Sequence, residues 1–194
     1  MLELTPRDLA ATISNDAQSF LAVIDHVSPA DPEFPGFIIM LTGRITDNIV
    51  TLLARENGET DMRVSPQKAL TARYIGSSAR EPLGVLIRNK SLAGGGQRPA
   101  ASVLPEHIRA FGKFTQWFGQ NSDTLAQLKS EGKSVPDLER VCKVLEEKAG
   151  ISRPEPKKAS PAPPSEDKLD RLISAVERTN TLLEEILKRL PYKD

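Results

Sequence analysis

The chain holds one cysteine, Cys142, in 194 residues, which excludes an internal disulfide and any zinc cage built from cysteines. A reducing compartment is therefore expected, either the cytosol or a particle assembled in it. Net charge is absent too: Lys plus Arg and Asp plus Glu both total 26, and with 39% apolar residues this is not the composition of a disordered chain. Long apolar runs are missing. The strongest, Phe37 to Leu41, falls far short of the ~20 residues that span a bilayer. Met1 to Ala10 lacks a basic start followed by an apolar stretch, so neither a leader nor membrane insertion is expected. Catalytic signatures are equally scarce. There is no phosphate-cradling glycine motif followed by Lys-Ser/Thr, no Gly-x-Ser-x-Gly elbow and no His-Glu-x-x-His pair. The reading is of a non-enzyme without cofactor or metal.

What is present is asymmetric. Residues 1–62 carry 3 basic and 10 acidic side chains, whereas residues 63–113 carry 9 basic and 2 acidic ones. Opposed blocks of this kind either face each other within a fold or face different partners.

Apolar residues recur at helical spacing along the first 150 positions. Thr5-Pro6-Arg7-Asp8 reads as a helix start, with a hydroxyl for orphan backbone donors and proline where no N–H is needed. Leu9, Ile13, Ala17, Phe20, Leu21 and Ile24 then predict a helix over 6–26. Ile38, Leu41, Ile45, Ile49 and Leu52 predict a second, ended at Glu56-Asn57-Gly58; Phe37 to Leu41 alone also suits a buried strand, but the period continues beyond it. A short helix opens at Ser65-Pro66 and runs to Tyr74, and a weaker one covers Glu81 to Lys90. Ala93 to Pro99, with three consecutive glycines, reads as a loop. A helix from Pro105 follows, with Ile108, Phe111, Phe114 and Phe118 on one stripe and Trp117 beside it. Leu125 and Leu128 belong to a short helix that Gly132 ends. Ser134-Val135-Pro136-Asp137 repeats the start signal for a last helix, with Leu138, Val141, Cys142 and Leu145 buried and Gly150 as stop. The fold class is all-α, with a compact multi-helix domain over 1–150.

Residues 151–165 form a spacer, whose stretch 153–165 contains five prolines and no apolar residue larger than alanine besides them. Beyond it, Leu169, Val176, Leu183 and Leu190 recur every seven residues, the spacing that keeps an apolar seam facing a partner helix. Leu172 and Ile186 complete one seam with this row, and Ile173 and Leu187 complete another. Residues 166–191 are therefore expected to form a coiled-coil helix that gathers two to four copies of the chain. A wide face favours three or four strands, whereas a buried Asn180 favours two. Folding back onto the chain's own domain and docking to a different protein are the alternatives.

The candidate binding residues lie in the basic block. Arg73, Arg80, Arg88, Lys90, Arg98, Arg109 and Lys113 supply cations for phosphates, and Phe111, Phe114, Trp117 and Phe118 supply rings of the kind that stack on single-stranded nucleic acid. Core packing is the preferred account of the phenylalanine stripe, and pairing with the acidic first block is the alternative for the cations. His26 and His107 fall at the end of one helix and the start of another, where histidines are usually solvated or capping. Lys158 to Pro164 matches the Lys-x-x-Pro-x-x-Pro form that SH3 domains accept, a pattern proline spacers also generate freely. Helical domain, proline spacer and short self-associating helix together resemble the layout of small viral polymerase-cofactor and virion-associated proteins, a likeness of architecture carried by no motif. Two functions are thus expected in order: an oligomeric adaptor or scaffold for a protein partner, then a nucleic-acid-binding structural protein.

Overall fold

A computed structural model describes residues 4–60, 64–95 and 99–151. The expected spacer from residue 152 onward and the expected coiled-coil helix lie outside the described residues, as does Arg98. Within them are seven α-helices, one 3-10 turn and no strand: α1 (Pro6–Ile24), α2 (Phe34–Glu56), α3 (Pro66–Thr71), α4 (Ser77–Gly94), the turn Ala101–Val103, α5 (Leu104–Asn121), α6 (Asp123–Ser130) and α7 (Leu138–Lys148).

Most helix ends follow from local chemistry. Thr5 and Asp8 form a reciprocal box at the start of α1: the Thr5 hydroxyl accepts from the Asp8 N–H, and the Asp8 carboxylate accepts from the Thr5 N–H at 2.9 Å. The Thr5 hydroxyl, which also donates to the Asp8 carboxylate at 2.7 Å, and the Thr5 N–H together hold that carboxyl below its ordinary range. Ser122 caps α6 and Asp137 caps α7. Asp137, not Ser134, is thus the cap of α7, and Pro136 stands before the helix instead of opening it. Gly58 and Gly150, at φ +81° and +63°, leave α2 and α7 by a backbone turn that side chains resist.

The element that departs most from its expected limits is α4. It begins at Ser77, four residues before Glu81, and carries Pro82 inside it. Tertiary packing overrides the weak local signal: Ala79, Pro82, Leu83 and Leu86 lie on one buried face, a row whose spacing starts upstream of the proline. Arg80 reinforces the entry by donating to the Ile75 and Ala72 carbonyls. At the far end α4 continues through Ser91 to Gly94, so the glycine loop begins later than its composition suggests.

α2 occupies the middle, with α1, α3, α4 and α5 packed on it, while α4 and α5 run antiparallel beside each other. By length and composition α2 is long enough and apolar enough to cross a membrane, yet 67% of its most apolar window is buried inside this domain. Its threonines are reconciled with that setting locally. The hydroxyls of Thr42, Thr46 and Thr51 donate to the Ile38, Thr42 and Asp47 carbonyls one turn back. α6 and α7 close the core against α1, and α7 also packs on α5. Phe20, Phe111, Phe114 and Phe118 are its largest fully buried side chains.

Replacing Phe114 by Ala should cost about 3–5 kcal/mol of stability, since it empties the space of a fully buried ring. Urea denaturation measures this; a loss below about 1 kcal/mol would place Phe114 outside the packed core.

Candidate functional site

The six basic candidates among the described residues meet different fates. Lys90 forms an ion pair with Asp47 of the acidic block, and outside the six Lys68 does the same with Glu59. Arg88 pairs with Glu106 at 3.2 Å, and Arg80 is spent on backbone carbonyls. Arg73, Arg109 and Lys113 are exposed and make no ion pair among the described residues. Phe111, Phe114 and Phe118 are wholly buried and offer no face to a base. Trp117 is half-buried, stacked on Phe114 with ring centroids 6.1 Å apart, and packed close against Gly76.

The residues that the fold brings together lie on α2 and α4. Gly43, Thr46 and Asp47 of α2, Leu86, Ile87, Lys90 and Ser91 of α4, and Pro66 and Gln67 of α3 line a cleft of about 220 Å³. The Lys90 stem crosses α2 at Gly43, where a β-carbon would stand 3.0 Å from its Cδ. Missing bulk at Gly43 thus lets Lys90 lie down along α2 and reach Asp47 one turn on. Asp47 Oδ2 takes the ammonium, while Oδ1 is buried without a hydrogen-bond partner among the described residues. At 33% and 38% side-chain exposure the pair remains partly wet, so its net contribution is modest, on the order of 0.5–1 kcal/mol.

One residue inward on the same two helices lies a buried polar cluster. The imidazole of His107, from α5, has Nε2 2.8 Å from the Thr42 hydroxyl and Nδ1 3.4 Å from the Asn89 amide nitrogen. All three residues are buried, His107 completely. Burial alone drives its pKa from the ordinary 6.5 down to about 4, so the ring is neutral at pH 7. This corrects the expectation of a solvated or capping histidine. The signal was present in the spacing: Leu104, His107, Ile108 and Phe111 follow the i, i+3, i+4 rule, which puts His107 on the buried stripe of α5. His26, by contrast, is exposed just beyond α1.

Cys142 is buried on α7 with its Sγ 3.4 Å from the Thr115 hydroxyl, a packed thiol. Among the described residues no group of three or more His, Cys, Asp or Glu side chains is arranged to hold a metal ion. Comparison with family models, with curated proteins and with solved structures finds no match to this chain.

Gly43→Ala tests how the cleft is built. Alanine raises helix propensity by about 1 kcal/mol, but here its methyl meets the Lys90 stem. The substitution should therefore be at least about 0.5 kcal/mol more favourable in a Lys90→Ala background than in the wild type, read from denaturation midpoints. Equal effects in both backgrounds would mean that the stem does not rest on Gly43.

Proposed function

We propose that this chain is a non-enzymatic oligomeric adaptor: residues 166–191 gather two to four copies, and each copy presents its helical domain to a protein partner. The observation that carries the reading is the seven-residue row Leu169, Val176, Leu183 and Leu190 beyond a proline-rich spacer. A helix bearing that row buries it most simply against sister chains. The helical domain supports the division of labour. Its large apolar side chains are buried or partly buried against one core, with Leu4, Val23, Met40 and Leu92 the exposed exceptions among the described residues. A domain with its own closed core leaves assembly to another segment.

Such a chain gains apparent affinity by multivalency, because linked copies rebind at an effective concentration set by the spacer. The expected setting is cytoplasmic, with no membrane partner. A second reading, binding of single-stranded nucleic acid in a coat or genome-associated role, draws on Arg73, Arg109 and Lys113, which are exposed and outside ion pairs among the described residues. It is the weaker of the two. Lys90 and Arg88 are engaged by carboxylates, and the phenylalanines that would stack on bases are core.

Val176→Asp with Leu183→Asp should convert the protein to folded monomers, with light scattering giving the mass and circular dichroism an unchanged helical domain. An unchanged mass would remove the adaptor reading. Filter binding of single-stranded RNA and DNA at two salt concentrations tests the second: affinity should fall steeply with salt, and absence of binding at low salt would end it.

A further inference from the structure

Within the described core, His107 is the buried side chain that can take up a proton, and its burial delays that until the medium is well below the ordinary histidine range. Its surroundings fix which proton it carries. The Thr42 hydroxyl has a single hydrogen, and at 2.7 Å from the Ile38 carbonyl that hydrogen is donated one turn back. Toward His107 the Thr42 oxygen therefore accepts, so Nε2 holds the ring's proton and Nδ1 is bare. Nδ1 faces the amide nitrogen of Asn89, which is itself a donor. A second proton would be placed between two donors.

Among the described residues no counter-charge stands ready for it. The charged side chains on the three helices around the ring are committed elsewhere or exposed. On α2, Arg44 pairs with Asp16 and Asp47 with Lys90; Lys90 is on α4, where Arg88 pairs with Glu106 of α5; Arg109 of α5 is exposed. Desolvation is accordingly the cause of the depressed basicity, with no charged neighbour contributing. A protonated ring is left with a buried, unpaired charge unless Asn89 turns its amide over or the helices part, and turning the amide still supplies no negative charge.

We propose that the Thr42–His107–Asn89 junction is an acid-sensitive latch: protonation of His107 at Nδ1 breaks the Asn89 contact and loosens α4 and α5 from α2. The cleft feels this directly. Thr42 and Asn89 hold the imidazole, while their chain neighbours Gly43 and Lys90 build the cleft, so the same helical turns carry both. Acidification thus reshapes the α2–α4 surface as well as weakening the core, and the device does not depend on what the cleft binds or on the adaptor reading.

The direction of the effect follows from linkage. Because the folded-state pKa lies below the unfolded one, the unfolded chain takes up the proton first. The stabilisation is complete above about pH 6.5 and is lost as the pH falls toward about 4. The test uses the full-length protein and its His107→Gln variant, whose amide donates to Thr42 and accepts from Asn89 without titrating. The chain has two histidines, so the ring signal missing from the variant's NMR spectrum identifies His107. In the wild type that signal should titrate below about pH 5, with the Gly43 and Lys90 amide signals moving at the same midpoint. Between pH 7 and pH 5 the wild-type melting temperature should fall roughly 4–7 °C further than that of the variant. An ordinary histidine titration in the wild type overturns the latch whether or not the variant folds. Equal falls in melting temperature for the two proteins overturn it as well.

Discussion

The constraint on which this domain rests is the burial of α2. Phe34, Ile38, Ile45, Ile49 and Leu52 occupy one flank of that helix and Ile39, Val50 and Leu53 another, and all are inside. A helix apolar over so much of its circumference cannot lie on a surface and has to be surrounded. α1, α3, α4 and α5 do this, leaving Met40 and Arg44 as exposed positions along its middle. Burial on this scale also dictates how polar groups on α2 behave. Three threonines return their protons to their own helix, and Thr42 then offers its oxygen to the ring of His107. The polar junction is thus a consequence of running α2 through the centre.

The opposed charge blocks resolve into short, local pairs. Asp47 with Lys90 and Glu59 with Lys68 join the acidic first segment to the basic second one, and both pairs lie where α3 and α4 meet α2. Each is partly solvated and contributes little by itself. Their weight lies in placement. Lys90 is held along Gly43, which fixes one wall of the cleft, and among the described residues Arg73, Arg109 and Lys113 are the cations of the basic block left without a partner. Charge counted along the sequence in blocks therefore overstates the net charge the basic segment presents, because part of it is neutralised by acidic-block residues 9 and 43 positions away.

Much of the architecture was legible before any coordinates. The capping pair Thr5 and Asp8, the stop at Gly150 and the continued period across Phe37 to Leu52 each rest on interactions within one or two helical turns, which sequence records directly. The limits of α4 were not legible in this way, because Pro82 reads locally as a start and only packing of Ala79 through Leu86 shows that the helix begins before it. The α2–α4 cleft was hidden for a similar reason: its residues come from three helices, and Gly43 looks like any helix glycine until Lys90 lies across it. His107 is the intermediate case. Its register on the α5 stripe was readable, but its partners Thr42 and Asn89 lie 65 and 18 residues away.

A cleft of about 220 Å³ is smaller than the roughly 300–1,000 Å³ typical of sites for drug-sized molecules. That is room for about one side chain, and on the adaptor reading a single anchor with a half-wet ion pair at its edge would bind weakly per domain. On the adaptor reading that weakness is consistent with the design, because a tethered assembly multiplies a weak contact without new chemistry. It also makes the contact sensitive to small rearrangements. A shift of α4 against α2 that would barely disturb a large interface changes the whole of a small cleft, and in an assembly the change is repeated in every copy. The buried imidazole beneath Gly43 and Lys90 is placed where a modest local event would be amplified in that way.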